Sequence, residues 1–297
     1  MSSINRRLLL GRALGVVGLS WAGSALAQSS RRSGFGGGSG AQANAATVGA
    51  TTVSFGPDPL QAYDLYPGPD TGPILLFVHG GGWSRGERSM VSALPDYAAR
   101  HGLTLASTSY RLAPAVGARQ ETDDLAAAIA DLMQKHPGRK VFVLGHSAGA
   151  HLAALVGVDP TFLGAKGLAP GDLGGVILLD GAGYDATGPR GTGLVGRALD
   201  RMYDEAFGPE GGPERAALSP TLRVKAGQAY PPFLIFHVAS REDSGEQSRA
   251  LAAALTAAGG RAEVVSAPGE THMTINRSFG VEGDPEGERA ARFVEER

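Results

Sequence analysis

Cysteine is absent from the 297 residues, which excludes disulfides, thiolate metal ligands and a cysteine nucleophile, and leaves no thiol at risk in an oxidising compartment. An excess of charge is absent too: 27 basic and 29 acidic residues give a formal net charge of −2. With Lys and Arg dispersed beyond the N-terminus, the chain offers no electrostatic footprint for nucleic acid or for an anionic membrane surface. No apolar run reaches the ~20 residues that span a bilayer, so stable membrane insertion is not expected. The pattern H-E-x-x-H is missing, and nothing implies a metal or an organic cofactor. What is present is a 42% hydrophobic composition, enough to build one sizeable core.

The N-terminus carries an address. Arg6-Arg7-Leu8-Leu9-Leu10 is followed by an apolar stretch and then by Ala25-Leu26-Ala27, an A-x-A-like cleavage site before Gln28. Residues 1–27 are therefore expected to be a signal peptide of twin-arginine type, exporting the protein to the bacterial periplasm or beyond. Residues 28–50 are mostly Gly, Ser and Ala with almost nothing to bury, the composition of a disordered tether. The folded domain is expected over 51–297.

From Thr51 onward, short apolar runs alternate with helical patterns, which predicts an α/β fold with a mostly parallel sheet covered on both faces. Strands are expected at 60–66, 74–78, 104–109, 140–144, 176–179, 233–238 and 262–266, several of them bare apolar runs as buried parallel strands should be. In 121–136, Leu125, Ile129, Leu132 and Met133 share one helical face, and Pro137 ends the pattern. Ser244 with Gln247 forms a capping-box pattern opening a further helix, and Asp284-Pro285 starts a last one. The stretch 183–230, rich in Gly, Pro and Arg, does not fit the alternation. It holds one helical pattern, around 195–207, and is expected to be a cap-like excursion over the strand ends, where substrate would enter.

Two segments match G-x-S-x-G, the pattern in which small residues let a chain turn sharply from strand to helix with the serine exposed at the apex. Gly145-His146-Ser147-Ala148-Gly149 follows the apolar run Val141-Phe142-Val143-Leu144 and precedes small and apolar residues suited to a closely packed helix. Gly82-Trp83-Ser84-Arg85-Gly86 has neither a strand directly before it nor an apolar helix directly after it, so Ser147 is preferred to Ser84 as nucleophile. The turn at 145–149 also lacks the G-x-G-x-x-G spacing of a dinucleotide site. Strand 74–78 runs into His79-Gly80-Gly81-Gly82-Trp83, where consecutive glycines leave backbone N–H groups bare enough to approach a substrate oxygen.

His79 to Trp83, Tyr110-Arg111-Leu112-Ala113-Pro114 and Gly145 to Gly149, in this order and spacing, resemble the HGGG-type esterases and lipases of the α/β-hydrolase superfamily, related to hormone-sensitive lipase. The tryptophan after the glycines is also similar to bacterial feruloyl and acetylxylan esterases and to kynurenine formamidases. The resemblance implies an eight-stranded, mostly parallel sheet, a Ser-His-Asp triad, and an oxyanion hole from the backbone of Gly81, Gly82 and Ala148. It implies a carboxylesterase acting through an acyl-enzyme on small-molecule esters; small or short acyl groups are expected, but the motifs fix neither subfamily nor substrate. A formamidase-like amidase, or a non-catalytic hydrolase fold that only binds, are the alternatives.

Such a fold orders its triad Ser, acid, His along the chain. Of seven histidines, His79 and His146 lie inside the motifs, His101 and His136 precede the elbow, His151 sits on the elbow helix and His237 in a core strand. His272 alone follows the last expected strand, and is the expected base. For the acid, the strand 233–238 leads into Ala239-Ser240-Arg241-Glu242-Asp243. Asp243 is the expected acid, Glu242 is the alternative, and Asp180, at the end of an earlier strand, is a further rival. Trp83, Tyr110 and Tyr184 are candidates to line the substrate pocket, although each suits ordinary core.

Overall fold

The structure, a computed structural model, describes residues 49–188 and 193–297. The expected signal peptide (1–27) and nearly all of the expected tether (28–50) lie outside the described residues. The strands are β1 (Thr51–Ser54), β2 (Ala62–Leu65), β3 (Ile74–Val78), β4 (Thr104–Thr108), β5 (Val141–His146), β6 (Gly175–Leu179), β7 (Phe233–Val238) and β8 (Ala262–Ala267). They form one eight-stranded sheet in the order β1-β2-β4-β3-β5-β6-β7-β8. The pairs β1–β2 and β2–β4 are antiparallel, and all others are parallel. The expected fold class is borne out, and the seven expected strands are all present. β1 was not anticipated: its four residues, Thr-Thr-Val-Ser, are mostly exposed and offer no apolar alternation.

The helices are α1 (Leu94–Arg100), α2 (Ala118–Lys135), α3 (Ala148–Val158), α4 (Pro160–Gly164), α5 (Gly193–Phe207), α6 (Pro213–Ala217), α7 (Pro220–Arg223), α8 (Glu242–Ala257), α9 (Thr274–Ser278) and α10 (Pro285–Glu295). Side chains alternate across a strand, and β3 shows why its five residues are all apolar. Ile74, Leu76 and Val78 pack into a cluster with Leu125 and Ile129 of α2, the α3 residues and Leu251 of α8. Leu75 and Phe77 face the other way, into a cluster with Leu94 and Tyr97 of α1 and Phe293 and Val294 of α10. Both faces are buried, so neither register position can be polar. Among the described residues no helix is long and apolar enough to cross a membrane.

The excursion at 183–230 holds α5, α6 and α7. α5 lays Tyr203, Ala206 and Phe207 on the core, while Leu194 at its other end is exposed. The register brings the motifs together. Val78 pairs with Gly145 and His146 with Leu179, so the segments leaving β3, β5 and β6 emerge side by side at the C-terminal edge of the sheet, the edge where ligands bind in such folds.

Candidate active site

Ser147 sits at the apex of the turn from β5 to α3 with φ +54° and ψ −118°, a conformation that costs a non-glycine residue about 1–3 kcal/mol. The flanking glycines are required by contact. A Cβ on Gly145 would fall 2.3 Å from the carbonyl oxygen of Gly149, and one on Gly149 would fall 2.2 Å from that of Val78. The elbow is pinned from the next strand by Ser147 N–H donating to the Leu179 carbonyl at 3.0 Å. Ser84, by contrast, lies in a turn closed by its N–H on the Gly81 carbonyl, with no strand-to-helix geometry around it.

His272 reaches this serine from the loop after β8. Its Nε2 is 2.9 Å from Ser147 Oγ, and its Nδ1 is 2.6 Å from Oδ2 of Asp180. The acceptor–donor pattern fixes the neutral tautomer: Nδ1–H donates to Asp180, leaving Nε2 to accept the serine proton. His146 braces the loop, its Nε2–H donating to the His272 carbonyl at 2.8 Å. Burial pushes His146 down to about 3, so it is a neutral support.

The carboxylate that meets His272 is not the expected Asp243 but Asp180. Asp243 is not brought to His272: the turn after β7 is only three residues, 239–241, and α8 has already begun when Asp243 is reached. Its carboxylate points away, 69% exposed, and accepts from Nη2 of Arg241 at 3.2 Å. Glu242 is exposed as well. Asp180 takes the place instead, as the first residue after β6, fully buried and at φ +43°. Its Oδ1 accepts from the Val238 N–H at 3.1 Å and from Ser244 Oγ at 2.6 Å. Its Oδ2 accepts from His272 and from Nη1 of Arg241 at 2.5 Å. Burial alone would raise this carboxyl, yet His272, Arg241 and Ser244 together hold it well below the usual carboxylate range. Ser244 is thereby diverted from the expected capping box. α8 opens at Arg241 with no side-chain cap, and Gln247 accepts from Asp185 N–H at 3.1 Å. A sequence signal for Asp180 did exist: a lone acid directly after four bare apolar residues and before a glycine.

The glycine loop lies against the elbow. A Cβ on Gly80 would sit 3.0 Å from that of Ser147, and Gly81, at φ +130°, has the Arg85 carbonyl where a Cβ would be. Among the described residues, the N–H groups of Gly81, Gly82 and Ala148 make no hydrogen bond, as a receptor for an oxyanion requires.

Of the expected pocket residues, Trp83, Tyr110 and Tyr184 are all fully buried, and belong to the wall behind the site. Tyr110 stacks on His79 at 4.4 Å and donates to its carbonyl at 2.9 Å, bracing the start of the glycine loop. Trp83, at φ +59°, donates from Nε1 to Nδ1 of His151 at 3.3 Å, and His151 Nε2–H donates to the Leu218 carbonyl at 2.7 Å. Burial lowers His151 to about 4, consistent with a neutral ring that accepts on one nitrogen and donates on the other. His151 thus ties the elbow helix to the glycine loop and to the excursion, whose Tyr203 and Phe207 meet the Trp83 ring edge to face. Met202, missed in the sequence, faces the loop, with its sulfur 2.5 Å from where a Gly82 Cβ would be.

A family model described as the alpha/beta hydrolase fold matches residues 75–276. The chain is 27% identical over 247 residues to an isoprenylcysteine alpha-carbonyl methylesterase of Arabidopsis thaliana, a match covering 75% of this chain and 56% of that protein. It is 32% identical over 97 residues to a kynurenine formamidase of Drosophila melanogaster, 32% of either chain. The chain therefore spans about half, or less, of the length of these curated relatives. Among solved structures it is similar to esterase Est2 of Thermogutta terrifontis with butyrate bound, at 24% identity and a TM-score of 0.65, over 84% of this chain and 94% of that one. That likeness is one of fold.

Proposed function

We propose that this chain, which belongs to the α/β-hydrolase family, cleaves carboxylic esters through an acyl-enzyme on Ser147, with His272 as general base and Asp180 as its orienting acid. The observation that carries the reading is the hydrogen-bonded chain from Ser147 Oγ through His272 to Asp180, at 2.9 and 2.6 Å. Ser147 Oγ attacks the ester carbonyl while its proton passes to Nε2. The imidazolium is stabilised by Asp180. The oxygen that becomes negative faces the N–H groups of Gly81, Gly82 and Ala148, each donor worth about 3 kcal/mol to the transition state. On collapse, Nε2–H protonates the departing alcohol. Water, activated by the same nitrogen, then releases the acid and restores the serine.

A small acyl group is the reading supported by Met202 standing against Gly82 and by α5 packing on Trp83 beside it. Amide cleavage by the same groups is the second reading, favoured by the likeness to a formamidase. Hydrolysis of 4-nitrophenyl esters from acetate to decanoate, and of an N-formyl arylamine, by the purified protein and by Ser147→Ala tests both. Turnover greatest for the short esters and abolished in the variant is expected. Equal rates in both proteins would remove Ser147 from the mechanism, and an optimum at decanoate would overturn the small acyl group. Turnover of an N-formyl arylamine but of no ester would select the second reading. Export through the twin-arginine-like N-terminus is proposed from its motif alone. The protein recovered from outside the bacterial cytoplasm should begin at Gln28, and an intact Met1 there would refute it.

A further inference from the structure

The loop after β7 brings a cation, not an acid, to the imidazole. Nη1 of Arg241 lies 2.5 Å from Asp180 Oδ2 and 2.8 Å from His272 Nδ1, and Nη2 reaches Asp243 at 3.2 Å. Since Nδ1 carries the proton donated to Asp180, it cannot also accept from the guanidinium. The two are donors converging on one carboxylate oxygen, and the short approach between them is mutually repulsive. We propose that Arg241 is a positioning residue that shares Asp180 with His272 and opposes protonation of the imidazole, so that the enzyme keeps its base free to lower pH than Asp180 alone would allow. This rests on the proposed roles of Ser147 and His272.

Charges of both signs face His272 from several elements. Asp180 stands at the end of β6, where it favours the imidazolium. Arg241 stands at the end of β7, and its guanidinium, which stays charged at any working pH, disfavours the imidazolium at a similar distance. Asp243, behind Arg241 at the start of α8 and exposed, returns part of that charge through solvent. His146 of β5, with its ring centroid 4.9 Å from that of His272, is neutral. On the histidine's own loop, Glu270 is turned to Ser278, accepting its hydroxyl at 3.0 Å. Arg241 is therefore the one cation among the described residues in contact with the ring. A residue serving only to fold the turn would not need to stand there: the turn itself is closed by backbone bonds, Arg241 N–H to the Val238 carbonyl and Gly245 N–H to that of Arg241.

The test compares the full-length protein with Arg241→Met, Arg241→Lys and Asp243→Asn. Two readouts are taken: kcat/KM for 4-nitrophenyl acetate against pH, and the pH at which the His272 ring resonance titrates by NMR. In Arg241→Met both should move to higher pH by about one unit, the size expected for losing one charge in contact. Arg241→Lys should bring both readouts most of the way back to the wild-type positions, and Asp243→Asn should move them the opposite way from Arg241→Met by a few tenths of a unit. An unmoved limb and resonance in Arg241→Met, or a shift of the same sign in Asp243→Asn, would overturn the proposal. If no ester is turned over by the wild type, the resonance still decides: a shift there sustains the role of Arg241 while the esterase reading falls.

Discussion

The Asp180 carboxylate accepts from four donors, two on each oxygen, and this full set is what an amide cannot reproduce. Asn at 180 would offer one acceptor oxygen and turn an NH2 group toward donors. It would also leave His272 free to adopt the wrong tautomer. Asp180→Asn should lower kcat by about 10³- to 10⁴-fold with the fold intact. Asp243→Asn, at an exposed ion pair, should change kcat by less than about threefold at neutral pH. Steady-state kinetics on the two variants decides the acid, and the reverse pattern would return the role to Asp243. Three of the four non-glycine residues with positive φ among the described residues are Trp83, Ser147 and Asp180. Each directly follows a turn or strand end of the site, where the surrounding packing can hold a conformation that an isolated turn would relax.

At the scale of elements, α3 and α5 are coupled to the glycine loop through one indole. Trp83 fills the space between His151, Tyr203 and Phe207 and gives its only polar hydrogen to His151. Trp83→Phe leaves His151 Nδ1 buried without a donor and opens a void, so a loss of about 2–4 kcal/mol is expected in the urea unfolding free energy. Because Trp83 adjoins Gly82, kcat should fall along with stability, whereas a loss of stability at unchanged kcat would show that the indole only packs. The same scale explains which motifs were legible. G-x-S-x-G and most of the glycine run are local: Gly145 and Gly81 answer to carbonyls four residues on and Gly149 to one on the adjoining strand, Gly82 against Met202 being the exception, and sequence spacing encodes the local contacts directly. The acid is not local. The sequence supplies a carboxylate after β6 and another after β7, and which one meets His272 depends on how soon α8 starts and on Ser244 and Arg241 turning inward. The aromatic candidates misled for a related reason: being near a motif in sequence placed Trp83, Tyr110 and Tyr184 beside the site, but all on its buried side.

For the whole molecule, buried ionisable groups set opposing pH limits on stability. Burial lowers His79 and His151 to about 4 and His146 to about 3. All three are neutral in the folded state, so the stability they contribute is complete above about pH 6.5 and is lost as pH falls toward about 4. Burial acts the other way on acids, raising Glu121 to about 9 and Glu286, which also faces the Asp284 carboxylate, to about 7. Their contribution is present at low pH and lost as pH rises through those values. Stability should peak near pH 6–7 and decline on both sides, with Glu121→Gln flattening the alkaline decline. Urea midpoints measured from about pH 4.5 to pH 9 check this, and a midpoint rising steadily to pH 9 would contradict it. The sequence by itself determined the alternating α/β architecture, the serine at its elbow and the histidine after the last strand, because hydrophobic period, glycine spacing and chain order are properties of the chain read in line. The tertiary structure alone decided which carboxylate meets His272, the cation beside it and the burial of the aromatics, because these depend on which strand ends become neighbours and on which side chains then compete for the same oxygen.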